Sequence, residues 1–164
     1  MKTRLNWKKE IFTSTYSIYS NNQLIGKLKD KTFSQSASGE LNGRKYIFRT
    51  KGLFKQHTEI LDEAENRVIG EINYNTRMTK ASLYINNKEA SWKYDNMRNT
   101  KWRIFDTEGI EIKYTGTSSK GQIDANTDDE LLLLCGLFVT NYYWQWTIIF
   151  LVAVFIPIWV SVLT

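Results

Sequence analysis

The chain has 164 residues, a net charge of +5 and one cysteine, so it is long enough for one domain with an appendage and cannot form an internal disulfide. All 22 basic and 17 acidic residues lie within the first 130 positions, whereas residues 131–164 contain no Asp, Glu, Lys, Arg or His. Gly-rich phosphate loops and metal-binding Cys or His spacings are absent from the sequence, which excludes the common nucleotide and zinc motifs.

The N-terminal segment, residues 1–8, is basic but is not followed by an apolar stretch, so we expect no secretory signal there. Its charges and Trp7 form the mixture that is found in segments lying on membranes. We expect weak contacts with lipid headgroups from four residues: Lys2, Arg4, Lys8 and Lys9. A frayed basic terminus is the alternative.

Residues 9–143 are predicted to form one β-barrel domain, because short β-branched and aromatic runs alternate with turn residues at intervals of about 8 to 12 positions. Turns rich in Asn, Asp and Gly favour antiparallel hairpins. They lie at 21–22, 42–43, 86–87 and 106–109. The predicted strands are 13–20, 23–29, 34–41, 44–51, 57–61, 67–73, 79–85, 89–94, 102–105, 110–115 and 121–124.

Two hairpins resemble each other, residues 19–28 and 61–72, and residues 105–112 are a shorter echo. They are either a repeat or a likeness common to hairpins. Gly26 and Gly70 occupy matched places inside the strand patterns, which predicts β-bulges or close backbone approach there.

The apolar tail is longer than the roughly 20 residues of one membrane span and too short for two spans with a turn. Aromatic and amide side chains between Asn141 and Trp146 divide it. Such amphipathic side chains settle at membrane–water interfaces. We expect four of them at the interface: Tyr142, Tyr143, Trp144 and Trp146.

The first part of the tail, within residues 128–143, is apolar on every side and predicts a buried core helix about 20 Å long. The second part, residues 144–164, contains the 17-residue stretch 147–163, which is at the lower limit for a span. We expect it to be a C-terminal membrane anchor with a kink at Pro157. A helix packed on the soluble domain is the alternative.

The predicted strands need a buried face, and the first helix needs surroundings that bury it. Eight strands enclose too little space for a helix, whereas eleven or twelve can enclose one. The predicted fold is therefore mainly β, an antiparallel closed barrel of about 11–12 strands around a central hydrophobic helix, with a C-terminal transmembrane helix.

The hairpins at 61–72 and 102–109, followed by the acidic and apolar run 128–138, resemble the tubby C-terminal, LURP-one-related and phospholipid scramblase barrels. The resemblance covers about residues 9–143. It implies a twelve-stranded barrel threaded by a hydrophobic helix, and scramblase-like lipid handling. The continuation into residues 147–163 departs from the family pattern.

An acidic stretch precedes the apolar tail, and Asp124, Asn126 and Asp128 alternate in it as ligands do in a calcium-binding loop. Asp129 stands where that loop needs glycine, so we expect a helix cap instead of a metal site. Thr127 as N-cap and Glu130 three residues later predict a capping box. The resemblance to scramblases, which carry an acidic segment before the core helix, keeps the cation site as an alternative.

We expect no cofactor and no catalytic residues, because the only histidine, His57, has no nucleophile near it in sequence and Cys135 lies inside the apolar tail. Asp62, Glu63 and Glu65 are predicted to form a solvated loop. An enzyme whose site forms only in three dimensions is an alternative.

The positive charge predicts an anionic partner, and anionic lipid fits an anchored domain best. The basic residues are scattered among acids, so we expect no nucleic-acid partner. The predicted function is that of a non-enzymatic, membrane-anchored barrel on the cytoplasmic side, which engages anionic lipid or a membrane protein. A protein-interaction or assembly module that uses the C-terminal helix is the other alternative.

Overall fold

The computed structural model describes residues 2–30, 35–52 and 55–163. It contains strands β1 Thr3–Glu10, β2 Thr15–Ser20, β3 Gln23–Asp30, β4 Ser36–Leu41, β5 Arg44–Lys51, β6 His57–Asp62, β7 Arg67–Tyr74, β8 Lys80–Ile85, β9 Lys88–Tyr94, β10 Lys101–Phe105, β11 Glu111–Gly116 and β12 Lys120–Ala125, and helix α1 Glu130–Leu163.

The strands form a closed antiparallel barrel in which each strand pairs with its neighbours in sequence and β12 returns to pair with β1. Inward side chains alternate with outward ones, as Ala81, Leu83 and Ile85 of β8 illustrate. The inward residues surround the first half of α1 and form one core with it. The predicted fold class is confirmed.

Strand β1 corrects the prediction that residues 1–8 lie outside the barrel. Leu5 and Trp7 point into the core, each with 3% of its surface exposed, while charged side chains alternate with them. Only two apolar residues mark the strand, and its partner β12 lies more than 100 residues away, so the local pattern was too weak to predict it. The other eleven strands begin and end within two residues of their predicted bounds; Ser34 lies outside the described residues.

The two similar hairpins, β2–β3 and β6–β7, contain bulges at the same place. The pairing shifts so that Ile25 and Ile69 are the extra residues, each directly before a glycine. A Cβ at Gly26 or Gly70 would overlap a carbonyl oxygen of the next strand. The predicted bulges and close approach are confirmed.

Helix α1 is one continuous helix, and the aromatic segment of the tail does not interrupt it. The change at residues 141–146 is one of environment: residues 131–141 are buried, whereas residues 150–162 are exposed. Residues Glu130–Val162 are long and apolar enough to cross a membrane, and none of the most apolar stretch is buried by the barrel. The alternative of a second helix packed on the domain is therefore wrong.

The start of α1 also differs from the prediction. Asp129 is the N-cap, because its Oδ1 accepts a hydrogen bond from the N–H of Leu132 at 3.0 Å. The Thr127 hydroxyl accepts one from the N–H of Asp129 at 3.2 Å, before the helix begins. Glu130 lies 3.8 Å from Arg44. The predicted capping box of Thr127 and Glu130 is wrong, since the helix starts two residues later than it requires.

Strand direction alternates, so the connections fall at two ends of the barrel. We call the end where α1 leaves the exit rim; its described connecting residues are 11–14, 35, 52, 55–56, 75–79, 95–100 and 117–119. We call the other end the far rim; its connections are residues 21–22, 42–43, 63–66, 86–87, 106–110 and 126–129. The described connecting residues of the exit rim include three basic residues and one acidic residue, +2, whereas the connections of the far rim include six acidic residues and none basic, −6.

Candidate membrane interface

The depth of α1 in the barrel is fixed by polar contacts to its backbone. The carbonyl oxygen of Gly136 accepts hydrogen bonds from the indole N–H of Trp92 at 3.3 Å, of Trp102 at 3.0 Å and from the Thr140 hydroxyl at 2.8 Å. The Tyr114 hydroxyl donates to the carbonyl oxygens of the preceding turn at 3.1 and 3.2 Å. These bonds resist sliding of the helix, so they decide which residues lie at the exit rim.

Where α1 leaves the barrel, aromatic side chains tie it to the rim. Tyr142 stacks on Tyr74 with ring centroids 3.8 Å apart. The Tyr142 hydroxyl and the Trp146 indole N–H both donate to Oε1 of Gln56, at 2.6 and 3.2 Å. The predicted membrane-interface residues Tyr142 and Trp146 are therefore half-buried at the rim, and Trp144 is 44% exposed beside them.

Tyr143 was predicted to lie at the membrane interface, but the structure buries it. It is 1% exposed, and its hydroxyl donates to the carbonyl oxygen of Lys80 and accepts a hydrogen bond from the N–H of Asn75. Tyr143 therefore belongs to the core, because successive residues of a helix face different directions. A stretch of adjacent aromatic residues cannot all face the bilayer.

A buried polar cluster closes the barrel around α1. Asn141 accepts a hydrogen bond from Lys9 Nζ at 2.8 Å and donates one to Asp30 Oδ2 at 2.7 Å. Burial raises the pKa of Asp30 to about 6, although the bond from Asn141 and the charge of Lys9 oppose the rise. Burial likewise lowers the pKa of Lys9, and Asp30 opposes the shift. Asn141 thus bridges a cation and an anion at the mouth of the barrel.

Apolar side chains project from the exit rim into solvent. Ile11 and Phe12 of the β1–β2 connection are 75% and 97% exposed, and Met97 of the β9–β10 connection is fully exposed. Large apolar side chains that are exposed at the tips of connections, next to an apolar helix, often mark a surface that contacts a membrane or another molecule. Their position at the end from which α1 emerges matches a surface that contacts lipid.

Two exit-rim loops share the sequence Asn-x-Arg-x-Thr-Lys, at residues 75–80 and 96–101. In each, the asparagine side chain accepts hydrogen bonds from the N–H groups of the fifth and sixth residues at 2.9 to 3.1 Å. The fourth residue has a positive φ in both. The two loops therefore present Arg77 and Arg98 in the same local structure on the same end of the barrel.

No family model, curated protein or solved structure matches this chain. Inference of function therefore rests on the geometry of the exit rim.

The predicted headgroup residues separate along β1. Lys2 and Arg4 lie at the far rim, and Arg4 pairs with Asp124 at 2.8 Å. Residues 4 and 9 are five positions apart, about 17 Å along a strand. Lys8 and Lys9 lie towards the exit rim, where Lys9 is partly buried. A bilayer at the exit rim would lie close to Lys8 and Lys9 and far from Lys2 and Arg4.

Two of the three residues of the alternative cation site make structural contacts. Asp124 pairs with Arg4, and Asn126 bridges the backbone of Glu111 and Gly109 at 2.8 and 2.7 Å. Asp128 is exposed. Among the described residues, no three His, Cys, Asp or Glu side chains lie close enough to hold a metal ion.

His57 begins β6 and is half-buried in the ladder opposite Lys51 and Asn73, and Cys135 is fully buried against the barrel. Sequence alone does not reveal that Ile11, Phe12 and Met97 are exposed, because single apolar residues in loops carry no periodic signal. The repeated Asn-x-Arg-x-Thr-Lys sequence is the one sign in the sequence that two loops share a local structure.

Proposed function

We propose that the protein is a non-enzymatic, membrane-anchored barrel domain whose exit rim rests on an anionic membrane surface. One observation carries the proposal: α1 leaves the barrel at the centre of the exit rim and is exposed and apolar beyond it. A helix of this kind is stable in the hydrocarbon core of a bilayer, which then holds the rim at the headgroups.

The composition of the exit rim supports contact with headgroups. Its described loops expose Ile11, Phe12 and Met97 together with Lys55, Arg77 and Arg98. Each basic residue near an anionic surface contributes about 1 kcal/mol, and this attraction falls off within a Debye length. The six acidic residues of the far rim lie outside that range, at the other end of the strands.

The same asymmetry supports a single-pass protein with its barrel in the cytoplasm. The cytoplasmic leaflet carries the negative surface potential, which attracts the +2 exit rim, while the −6 connections of the far rim lie beyond its range. In this orientation the barrel stands on the bilayer with its acidic end pointing away.

A twelve-stranded barrel closed around a hydrophobic helix supports a relationship with the tubby C-terminal, LURP-one-related and phospholipid scramblase barrels, which we also propose. Scramblase-like handling of lipid would place lipid headgroups at the exit rim, the same surface.

The proposal is tested with the full chain in nanodiscs. A dye is attached to Met97→Cys at the exit rim or, as the matched control, to Thr107→Cys at the far rim; Cys135 is buried and does not compete. We expect headgroup-linked nitroxide lipids to quench the dye at position 97 more in discs with phosphatidylglycerol than in phosphatidylcholine discs. We expect added salt to abolish the difference, since the attraction is electrostatic.

The dye at position 107 should show little quenching in either disc. Equal quenching at position 97 in the two lipids at low salt would show that the rim does not engage anionic lipid. In that case α1 serves only as an anchor or as a contact for another membrane protein.

A further inference from the structure

A cavity of about 280 Å³ opens at the exit rim beside α1, between β1 and the connections β9–β10 and β11–β12. We call it the rim cavity. It has the size of a small polar group and is smaller than most cofactor sites. Its lining includes Trp7, Lys9, Arg98, Thr117, Ser118 and Trp144.

The charged residues in this lining are both basic. Lys9 is partly buried beneath Trp144, with Nζ 5.1 Å from the ring centroid, and Arg98 is exposed at the mouth. Arg98 forms no ion pair with any described residue. Ser118 adds a hydroxyl donor to the lining, whereas the Thr117 hydroxyl donates to the carbonyl oxygen of Lys120 at 3.4 Å.

The rim cavity also contains a buried donor without an acceptor. Trp7 is 3% exposed, and its indole N–H has no hydrogen-bond partner among the described residues. A buried donor without a partner destabilises the folded state. The other two buried indoles near α1, Trp92 and Trp102, both donate to Gly136, so the unmet group of Trp7 stands out.

Trp7 is held where it is by close packing. Its ring lies against Gly116 and Gly121, and a Cβ at either glycine would overlap the ring. The donor therefore cannot turn to another partner without repacking β11 and β12. Since Trp7 lines the rim cavity, we infer that the missing acceptor is a group bound there.

We propose that the rim cavity binds the phosphoryl group of an anionic phospholipid headgroup. Phosphoryl oxygens are strong acceptors that pair with lysine and arginine, and Trp7 supplies one more donor. An anion there also offsets the cost of burying Lys9. The inference rests on the proposed function, because α1 places the cavity at headgroup level, and it names the lipid chemistry.

The test uses the full chain, with ¹⁵N-labelled tryptophan, in non-ionic detergent micelles. Short-chain phosphatidylglycerol, short-chain phosphatidylcholine and inorganic phosphate are titrated separately, and the indole N–H signal of Trp7 is followed; Trp7→Phe identifies it. We expect a saturable downfield shift with phosphatidylglycerol, at concentrations at least tenfold lower than with the other two probes.

Arg98→Gln is compared with Arg77→Gln, which removes the same charge from the matching loop of the same rim and does not line the cavity. We expect Arg98→Gln to raise the dissociation constant for phosphatidylglycerol at least tenfold and Arg77→Gln to change it less than twofold. Equal weakening by both would indicate diffuse attraction to the rim and overturn the site. An unchanged Trp7 signal would do the same.

If inorganic phosphate binds as tightly as phosphatidylglycerol, the cavity holds free phosphate and the lipid assignment is wrong. Equal binding of phosphatidylcholine overturns the preference for an anionic headgroup. The nanodisc experiment separates these failures from failure of the proposed function, because the quenching at position 97 persists without a specific site.

Discussion

The carbonyl oxygen of Gly136 shows how a single residue sets the position of α1 in the barrel. Three side chains donate to it, and the Tyr114 ring lies directly against its α-carbon. A Cβ at this position would overlap that ring. Glycine is needed here for close approach, although it is a poor helix former.

Gly136→Ala should therefore destabilise the barrel. Overpacking of a filled core costs about 1–3 kcal/mol, and the upper value applies here because the added Cβ would overlap the Tyr114 ring. Alanine offsets roughly 1 kcal/mol of this cost as the better helix former. We expect the free energy of unfolding to fall by about 2 kcal/mol, measured by urea denaturation in non-ionic micelles.

Gly39→Ala is the matched control, since its Cβ would meet the flexible end of Leu134 at 3.1 Å and the ring of Phe48 at 3.2 Å. We expect a loss below about 1 kcal/mol there. A loss at Gly136 no larger than at Gly39 would show that the Tyr114 ring moves aside, and that this contact does not fix the helix.

Residues at the exit rim show what sequence alone could and could not predict. The mixture of aromatic and amide side chains correctly located the place where α1 changes surroundings. This mixture does not distinguish the buried Tyr143 from the exposed Trp144, because the direction in which each side chain points is defined relative to the barrel around the helix. Trp7 was assigned to a segment that was either interfacial or frayed, because its charged neighbours are visible in sequence, whereas its partners Gly116 and Gly121 are far along the chain.

At the scale of elements, helix α1 serves as the barrel core in its first half and extends beyond the barrel in its second. The sequence predicted both halves and their different surroundings. The predicted division into two helices was wrong. Segment length and amphipathic residues indicate the surroundings of a segment, but they do not show where the backbone of a helix ends. No glycine or proline lies between Asn141 and Trp146, so nothing there ends a helix.

A pair of truncated chains tests the division of labour within α1. A chain that ends at Thr147 keeps the bonds of Tyr142, Tyr143 and Trp146 to the rim and loses the exposed half. We expect it to be soluble without detergent and to unfold cooperatively. A chain that ends at Asn126 loses the core helix, and we expect it to aggregate because the inward side chains have nothing to pack on.

Circular dichroism and size-exclusion chromatography measure both results. An unfolded chain after truncation at Thr147 would show that the exposed half of α1 is needed for folding, which contradicts its assignment to lipid. A folded chain after truncation at Asn126 would show that the barrel closes without its helix.

At the scale of the whole molecule, the barrel has opposite charges at its two ends. This could not be read along the sequence, where basic and acidic residues alternate and sum to +5. The alternating direction of antiparallel strands assigns every second connection to the same end, and only then do the sums +2 and −6 of the described connections appear. The barrel topology thus gathers charges that are scattered along the sequence, so that the two ends of the barrel carry opposite net charges.

This charge division predicts which side of the membrane the barrel occupies. With the basic exit rim against the anionic cytoplasmic leaflet, the far rim points into the cytoplasm. In intact cells a membrane-impermeant maleimide should leave Thr107→Cys unlabelled, and permeabilised cells should show full labelling of this exposed far-rim position. Labelling in intact cells would place the barrel outside. The exit rim would then meet the less anionic leaflet, and the two excess positive charges of its described connections would need another anionic partner.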